Sequence, residues 1–528
     1  MTQLSTTLYR WHRRIGLAVF TAIIAWALSG LSHPIMARLN PRPAFMHPPV
    51  SATNINTLSP LSTALSTAGI TQFEQAQILN IDSKIYYRIE NKGQSHFIDA
   101  QNGQITAFND TDYAQSLARY YMKPHLGTTI DSTAIDSTAI DKNATIESIT
   151  QFDEEYLSIN RFLPVYKVGF NTPGHMRAYV ELSTGRLATL IDDRKAFIGK
   201  LFRQLHSWTF IGNPWLRTLA MSILLIAGIA LSAIGLWISW QKRTLGKTHL
   251  AVKQACTTAN QQTENEKKSA NIPTNTARWH KRLGLSVGVF VLTFSVSGLF
   301  HLLAKPIDPP PAIAKPPTVF KTADLSINWQ AIARIVGQAP LLRGTFVQLE
   351  GTPFLRLELE KMPDLHTRAK PSGHQHHPGQ PRAMGKNIVY INATSSQRCI
   401  DCENQHAINL AKHYITDKHL ALKTGTPKTQ IITQFNDDYG FINKRLPVHA
   451  VSFAGQNTTI FVETLSDTLA ATADNTTRIE GWSFSNLHKW HFLNPLGKTF
   501  RDILLGVSVL FIALLCILGL VLSLRAKT

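Results

Sequence analysis

The 528-residue sequence predicts a membrane α-helical protein: four transmembrane helices in a pseudo-two-fold duplicated chain, with two α+β extracytoplasmic domains. Three observations carry this expectation. Four stretches, roughly 15–33, 216–240, 283–303 and 502–524, are long and apolar enough to cross a bilayer. The run "WHRRIGLAVFTAIIAWALSGLSH" (Trp11–His33) returns as "WHKRLGLSVGVFVLTFSVSGLFH" (Trp279–His301) with no gap, so His12 matches His280 and His33 matches His301. Between the spans, apolar and polar residues alternate as antiparallel strands require.

The elements follow in order. Residues 1–33 form a short inner terminus and the first span. This span is not a signal peptide: it lacks an A-x-A cleavage site and its spacing recurs in mid-chain. Residues 34–205 form the first outer domain, with strand signals in "KIYYRIE", "HFIDAQNGQI" and "RAYVELSTGRL" and a helical signal in "AQSLARYY". Residues 206–240 hold an interfacial Leu-His segment and the second span, and 241–278 a polar Thr/Asn/Gln/Lys-rich linker, flexible by composition over about 250–276. The third span follows at 279–303. The second outer domain, 304–487, carries "FLRLELE", "TTIFVETL" and the helical "NQHAINLAKHYI". Residues 488–528 close the chain with a second Leu-His segment and the fourth span. The repeat also pairs "FDEEYLSINRFLPVYKVGF" (Phe152–Phe170) with "FNDDYGFINKRLPVHAVSF" (Phe435–Phe453), and "LHSWTFIGNP" (Leu205–Pro214) with "LHKWHFLNP" (Leu487–Pro495), so His206 matches His488.

Basic residues orient the spans. Arg10, Arg13 and Arg14 precede the first, Lys242, Arg243 and Lys247 follow the second, Lys281 and Arg282 precede the third, and Arg525 and Lys527 follow the fourth. By the positive-inside rule both termini are cytoplasmic and the two long segments lie outside, which in a Gram-negative bacterium's inner membrane is the periplasm. The net charge of +19 partly reflects these flanks, and no nucleic-acid motif accompanies it. Cys399 and Cys402 form "CIDC", expected as a local disulfide outside the cytoplasm rather than as a redox dithiol, since no thioredoxin-like pattern surrounds it. Covalent haem attachment is excluded there, because Glu403 occupies the histidine position of C-x-x-C-H.

Six histidines in matched pairs are the candidate site. The twenty-one residues from His12 to His33 span about 31 Å as a helix, so the two sit near opposite faces of the membrane, as do His280 and His301. His206 and His488 enter from the outer side on short segments, each followed by an Asn-Pro pair that breaks the chain before the next span. The competing reading is an interfacial belt with Trp11, Trp208, Trp279 and Trp490. Matched ionisable groups at membrane depth argue for a cofactor instead. Neutral imidazoles supply axial lone pairs to a b-type haem between helices. Small residues such as Ser29, Gly30, Ser297 and Gly298 let a flat ring approach. His12 and His280 are the inner pair. For the outer face the duplication allows His33 with His301, one from each spanning helix, or a mixed pairing of a spanning and an interfacial histidine, His301 with His488 or His33 with His206; the mixed pairing is the expectation, with His301 first. The expected haem-iron ligands are thus His12, His280, His301 and His488. No GxGxxG unit is present, so the reductant is a cytoplasmic partner or quinol.

The "WHRRIGL…SGLSH", "RFLPVY" and "LHSWTFIGNP" motifs resemble the PepSY-associated transmembrane family over nearly the whole chain, and the double-length arrangement is similar to its inner-membrane ferric-siderophore reductases. The resemblance implies PepSY-like outer domains, two b haems on His12, His33, His206, His280, His301 and His488, and electron transfer to a ferric siderophore in the periplasm. The alternative is a non-enzymatic PepSY-type binding or regulatory membrane protein, which leaves the matched histidines without a role. The chain departs from the family in an insert, "HTRAKPSGHQHHPGQPR" (His366–Arg382), whose His366, His374, His376 and His377 form a solvated loop or a labile metal site.

Overall fold

The computed structural model describes residues 3–81, 83–126, 144–256, 275–305, 315–360, 386–417 and 425–525. The His-rich insert at 366–382 and the "DSTAIDSTAID" tandem at 131–141 lie outside them. The chain divides into two compact units: 1–39, 197–309 and 476–528 form one, and 40–196 with 310–475 the other.

The first unit is helical. Its four long helices are Gln3–Leu39, Pro214–Cys256, Asn275–Ala304 and Lys498–Arg525. Each contains a stretch long and apolar enough to cross a membrane: Thr6–Met36, Pro214–Gln241, Asn275–Ala304 and Lys498–Arg525. The first and third helices each pack against the second and fourth. A shared core of Val19, Ile23, Ala27, Val287, Val291 and Ile512 closes the interior. Leu219, Ile223, Ile226, Leu510, Leu514 and Ile517 stay exposed on the outside, as side chains facing lipid do. The second helix starts at Pro214 because Asn213 caps it, its side chain accepting from the N–H groups of Trp215 and Leu216 at 3.0 and 3.1 Å. That helix continues to Cys256, so residues 250–256, expected within the flexible linker, are helical.

The second unit is mostly sheet. A seven-stranded antiparallel sheet runs, edge to edge, through Arg398–Cys399, Lys386–Asn392, Thr352–Glu360, Leu341–Leu349, Gln75–Ile81, Lys84–Asn91 and Gln94–Asp99. Strands from the early and late parts of the chain meet where Gly344 and Thr345 pair with Ile78 and Gln77. Two four-stranded meanders have the same order: Thr145–Ile149, Val165–Gly169, Arg177–Glu181 and Arg186–Ile191, then Pro427–Ile432, Val448–Phe453, Thr459–Glu463 and Thr468–Ala473. One helix packs on each, Asp110–Met122 on the first and Cys402–Asp417 on the second. Every strand and helix signal named in the sequence falls on such an element.

The meanders are joined through charge. The buried Arg445 guanidinium donates to Glu463 at 2.7 Å and to Glu181 at 2.8 Å, and Arg186 pairs with the same Glu463. Its face lies 4.5 Å from the Phe162 ring. Glu463 is driven down to about 2 against its burial by Arg186 and Arg445. Removing one member of such a network leaves uncompensated buried charge. Arg445→Ala is therefore expected to destabilise this unit by about 3 kcal/mol or more. A thermal melt of the detergent-solubilised protein with an unchanged midpoint would contradict this.

Candidate functional site

The six histidines all belong to the helical unit. At one end of the bundle, His12 on the first helix faces His280 on the third, with ring centroids 6.4 Å apart and planes at 66°. Glycines on the other two helices cradle them. A Cβ at Gly235 would stand 2.9 Å from His12 Cε1, and one at Gly519 would stand 3.0 Å from His280 Cε1. Any larger residue there would push the ring aside. The Nδ1 atoms of both rings are buried without a hydrogen bond. Each Nδ1 lies on the glycine side of its ring, 3.5 Å from a Cβ at Gly235 and 3.6 Å from one at Gly519, nearer than Nε2 at 3.9 and 4.0 Å.

Towards the other end the pattern recurs with different parts. Ser29 lies seventeen residues beyond His12 on the same helix, about 25 Å along its axis. Its hydroxyl meets His206 Nδ1 at 3.0 Å. On the third helix Ser297 meets His488 Nδ1 at 3.1 Å. His206 and His488 then face each other with centroids 6.5 Å apart and planes at 85°. Each is backed by a phenylalanine: Phe202 stacks on His206 at 4.7 Å and Phe484 on His488 at 4.8 Å. Each is followed two residues later by a left-handed tryptophan, Trp208 (φ 53°) and Trp490 (φ 54°). Trp208 stacks on Trp26, and Trp490 on Phe294. The Trp26 indole N–H also donates to the His206 carbonyl at 3.1 Å. These contacts fold each Leu-His segment back over its helix and aim the imidazole inward. Desolvation, with His206 nearby, pushes the His488 imidazole down to about 3, so it is neutral at physiological pH.

Of the two mixed outer pairings expected from the sequence, His301 with His488 is not the pair brought together, and His33 with His206 involves a side chain outside the described residues. His301 turns its Nδ1 to the Glu480 carboxylate and stacks on Phe484 at 3.9 Å. Phe484 thus lies against both His301 and His488. The reason is the helix period: Ser297 sits one turn before His301 on the same face and holds His488 at its own level. His33 lies on the first helix, and its side chain is outside the described set. Outside the six, His449 bonds Glu403 at 2.9 Å.

Two imidazoles bound to one metal at metal–nitrogen distances of roughly 2 Å place their ring centroids about 6 Å apart. Both pairs fit that spacing. Among the described residues no group of three or more His, Cys, Asp or Glu could hold a bare metal ion. Pairs of histidines suit a metal whose remaining ligands come from a macrocycle. The hydroxyls of Ser29 and Ser297 on Nδ1 fix the orientation of the two imidazoles. Residues the sequence did not single out are Gly235, Gly519, Phe202, Phe484 and Glu480. The recurrence of Phe202 and Phe484 four residues before each Leu-His histidine was a usable signal.

Residues 9–527 match the family described as PepSY-associated TM region. No curated protein matches the chain.

Proposed function

We infer that this chain, which belongs to the PepSY-associated transmembrane family, is a duplicated, multi-pass inner-membrane b-type haem protein. It passes electrons across the membrane to reduce ferric-siderophore iron in the periplasm. The observation that carries this reading is the presence of two facing histidine pairs, at 6.4 and 6.5 Å, toward opposite ends of one four-helix bundle. The basic flanks orient the His12–His280 end to the cytoplasm, where a cytoplasmic reductant or quinol delivers electrons. The sheet-rich unit is then periplasmic.

In this reading His12 and His280 would hold the inner haem, and His206 and His488 the outer one. A bound haem supplies reversible one-electron chemistry at its iron. Ser29 and Ser297 orient the outer imidazoles. Trp26, Phe294, Phe202 and Phe484 wall that site with aromatic surface and exclude water. The substrate's iron(III) is held by hard oxygen donors, and reduction to iron(II) weakens them, so one electron releases the metal.

The test is the colour and stoichiometry of the full-length protein purified from haem-replete cells. Expected are a Soret band that shifts on dithionite and about two haems per chain, one per histidine pair. A colourless preparation would favour a non-enzymatic PepSY-type binding or regulatory protein.

A further inference from the structure

We propose that the Cys399–Cys402 disulfide is a thiol–disulfide exchange site that accepts two electrons from a dithiol partner, a role independent of the haem reading. The two cysteines are bonded across three positions in sequence. Cys399 is half-buried on the two-residue strand Arg398–Cys399, the outermost strand of the seven-stranded sheet. Among the described residues no strand pairs with its outer edge, so an extended peptide can lie beside the sulfur. Ile400, between the cysteines, is 86% exposed, the highest value among the large apolar residues exposed on the described surface. It offers an apolar contact to whatever approaches Cys399. Asp401, in the left-handed region (φ 64°), turns the chain inward to Cys402.

Cys402 differs from Cys399 in the ways a leaving group should. It is 2% exposed and opens the sixteen-residue helix Cys402–Asp417. A thiolate in the first turn of a helix is stabilised by the unpaired N–H groups there. Behind it stands a line of polar groups. Tyr390 is the register partner of Cys399 in the sheet and shares a buried cluster with both cysteines. Its hydroxyl, kept protonated because burial pushes the phenol well up, donates to His406 Nδ1 at 2.9 Å. His406 lies one turn after Cys402, on the same helix face, and its Nε2 is 3.0 Å from Asp467 Oδ1. The Tyr390 phenol and the His406 imidazole thus stand hydrogen-bonded to each other in the corner that holds the buried sulfur.

A purely structural staple is not what this corner needs. The helix Asp110–Met122 occupies the corresponding place on the first meander and starts without cysteine. There Asn109 caps the helix and Asp112 completes a capping box. The adjoining ion pair is the same in kind: Asp110 takes Arg88 at 2.8 Å, as Glu403 takes Arg356 at 3.3 Å. The fold closes this corner once with side-chain caps alone.

The step balances as follows. A partner thiolate attacks Cys399 Sγ, forming a mixed disulfide and breaking the Cys399–Cys402 bond, and Cys402 leaves as a thiolate that takes up a proton. The partner's second thiolate then attacks its own sulfur in the mixed disulfide and releases Cys399, which takes up the second proton. The chain gains two electrons and two protons, and the partner leaves as its disulfide.

The test uses the full chain in detergent on a Cys256→Ser, Cys516→Ser background, with dithiothreitol and a synthetic dithiol peptide as reductants and mass-tagging of free thiols. The expected result is complete reduction of the folded protein, with unchanged circular dichroism and protease resistance. Cys402→Ser is expected to form a mixed disulfide with an aromatic disulfide reagent at least on the order of tenfold faster than Cys399→Ser. Resistance to reduction until the protein is denatured, loss of fold on reduction, or preferential reaction at Cys402 would each overturn the proposal.

Discussion

His206→Ala and His488→Ala are each expected to lose about half of the bound haem, whereas His301→Ala retains the full complement. The expectation follows from what each ring faces. His206 and His488 face each other at 6.5 Å with their Nδ1 atoms held by serines, while His301 spends Nδ1 on Glu480 and a ring face on Phe484. Pyridine haemochrome assay against protein concentration measures the ratio directly. Ser297→Ala should keep haem under saturating supply but bind it on the order of tenfold more weakly, as loss of a hydrogen bond to a ligating histidine does. If His301→Ala emptied the outer site as fully as His488→Ala, the mixed pairing would be restored and this assignment abandoned.

At the inner end, the proposed function expects His12→Ala and His280→Ala each to remove the other haem and to reduce chelate reduction to background. Gly235→Leu and Gly519→Leu sharpen the test without touching a ligand. A Cβ at either position already comes within 2.9 or 3.0 Å of an imidazole carbon. A leucine must therefore displace the ring it meets, and on the proposed function a shift of that kind would weaken that histidine's hold on the haem. The expected phenotype is an inner-haem loss comparable to that of the histidine variants, with outer-haem spectra intact. Full haem content in both glycine variants would show that the rings meet these helices for packing alone.

Much of this was legible in the sequence, for identifiable reasons. Apolar runs of fixed length announce spans, since lipid leaves no other way to satisfy the backbone. Alternation in "KIYYRIE" and "FLRLELE" announces strands, because successive side chains point to opposite faces. The matched spacings located His12 with His280 and His206 with His488 as equivalent positions. Arg445 gave no such signal. Its equivalent is Phe162, and the two stack together at 4.5 Å, a relation between distant segments that no local pattern encodes.

The sequence by itself determined which residues could act: six histidines in matched positions, at depths set by helical rise, and a pair of cysteines three positions apart. Only the tertiary structure decided their partners. Helical periodicity places Ser29 and Ser297 one turn before His33 and His301, but it does not say which imidazole each hydroxyl will meet. That depends on how the Leu-His segments fold back over their helices, which Trp208 and Trp490 fix by stacking on Trp26 and Phe294. Pairing is a property of distances between segments remote in sequence, and those are set by packing rather than by local pattern.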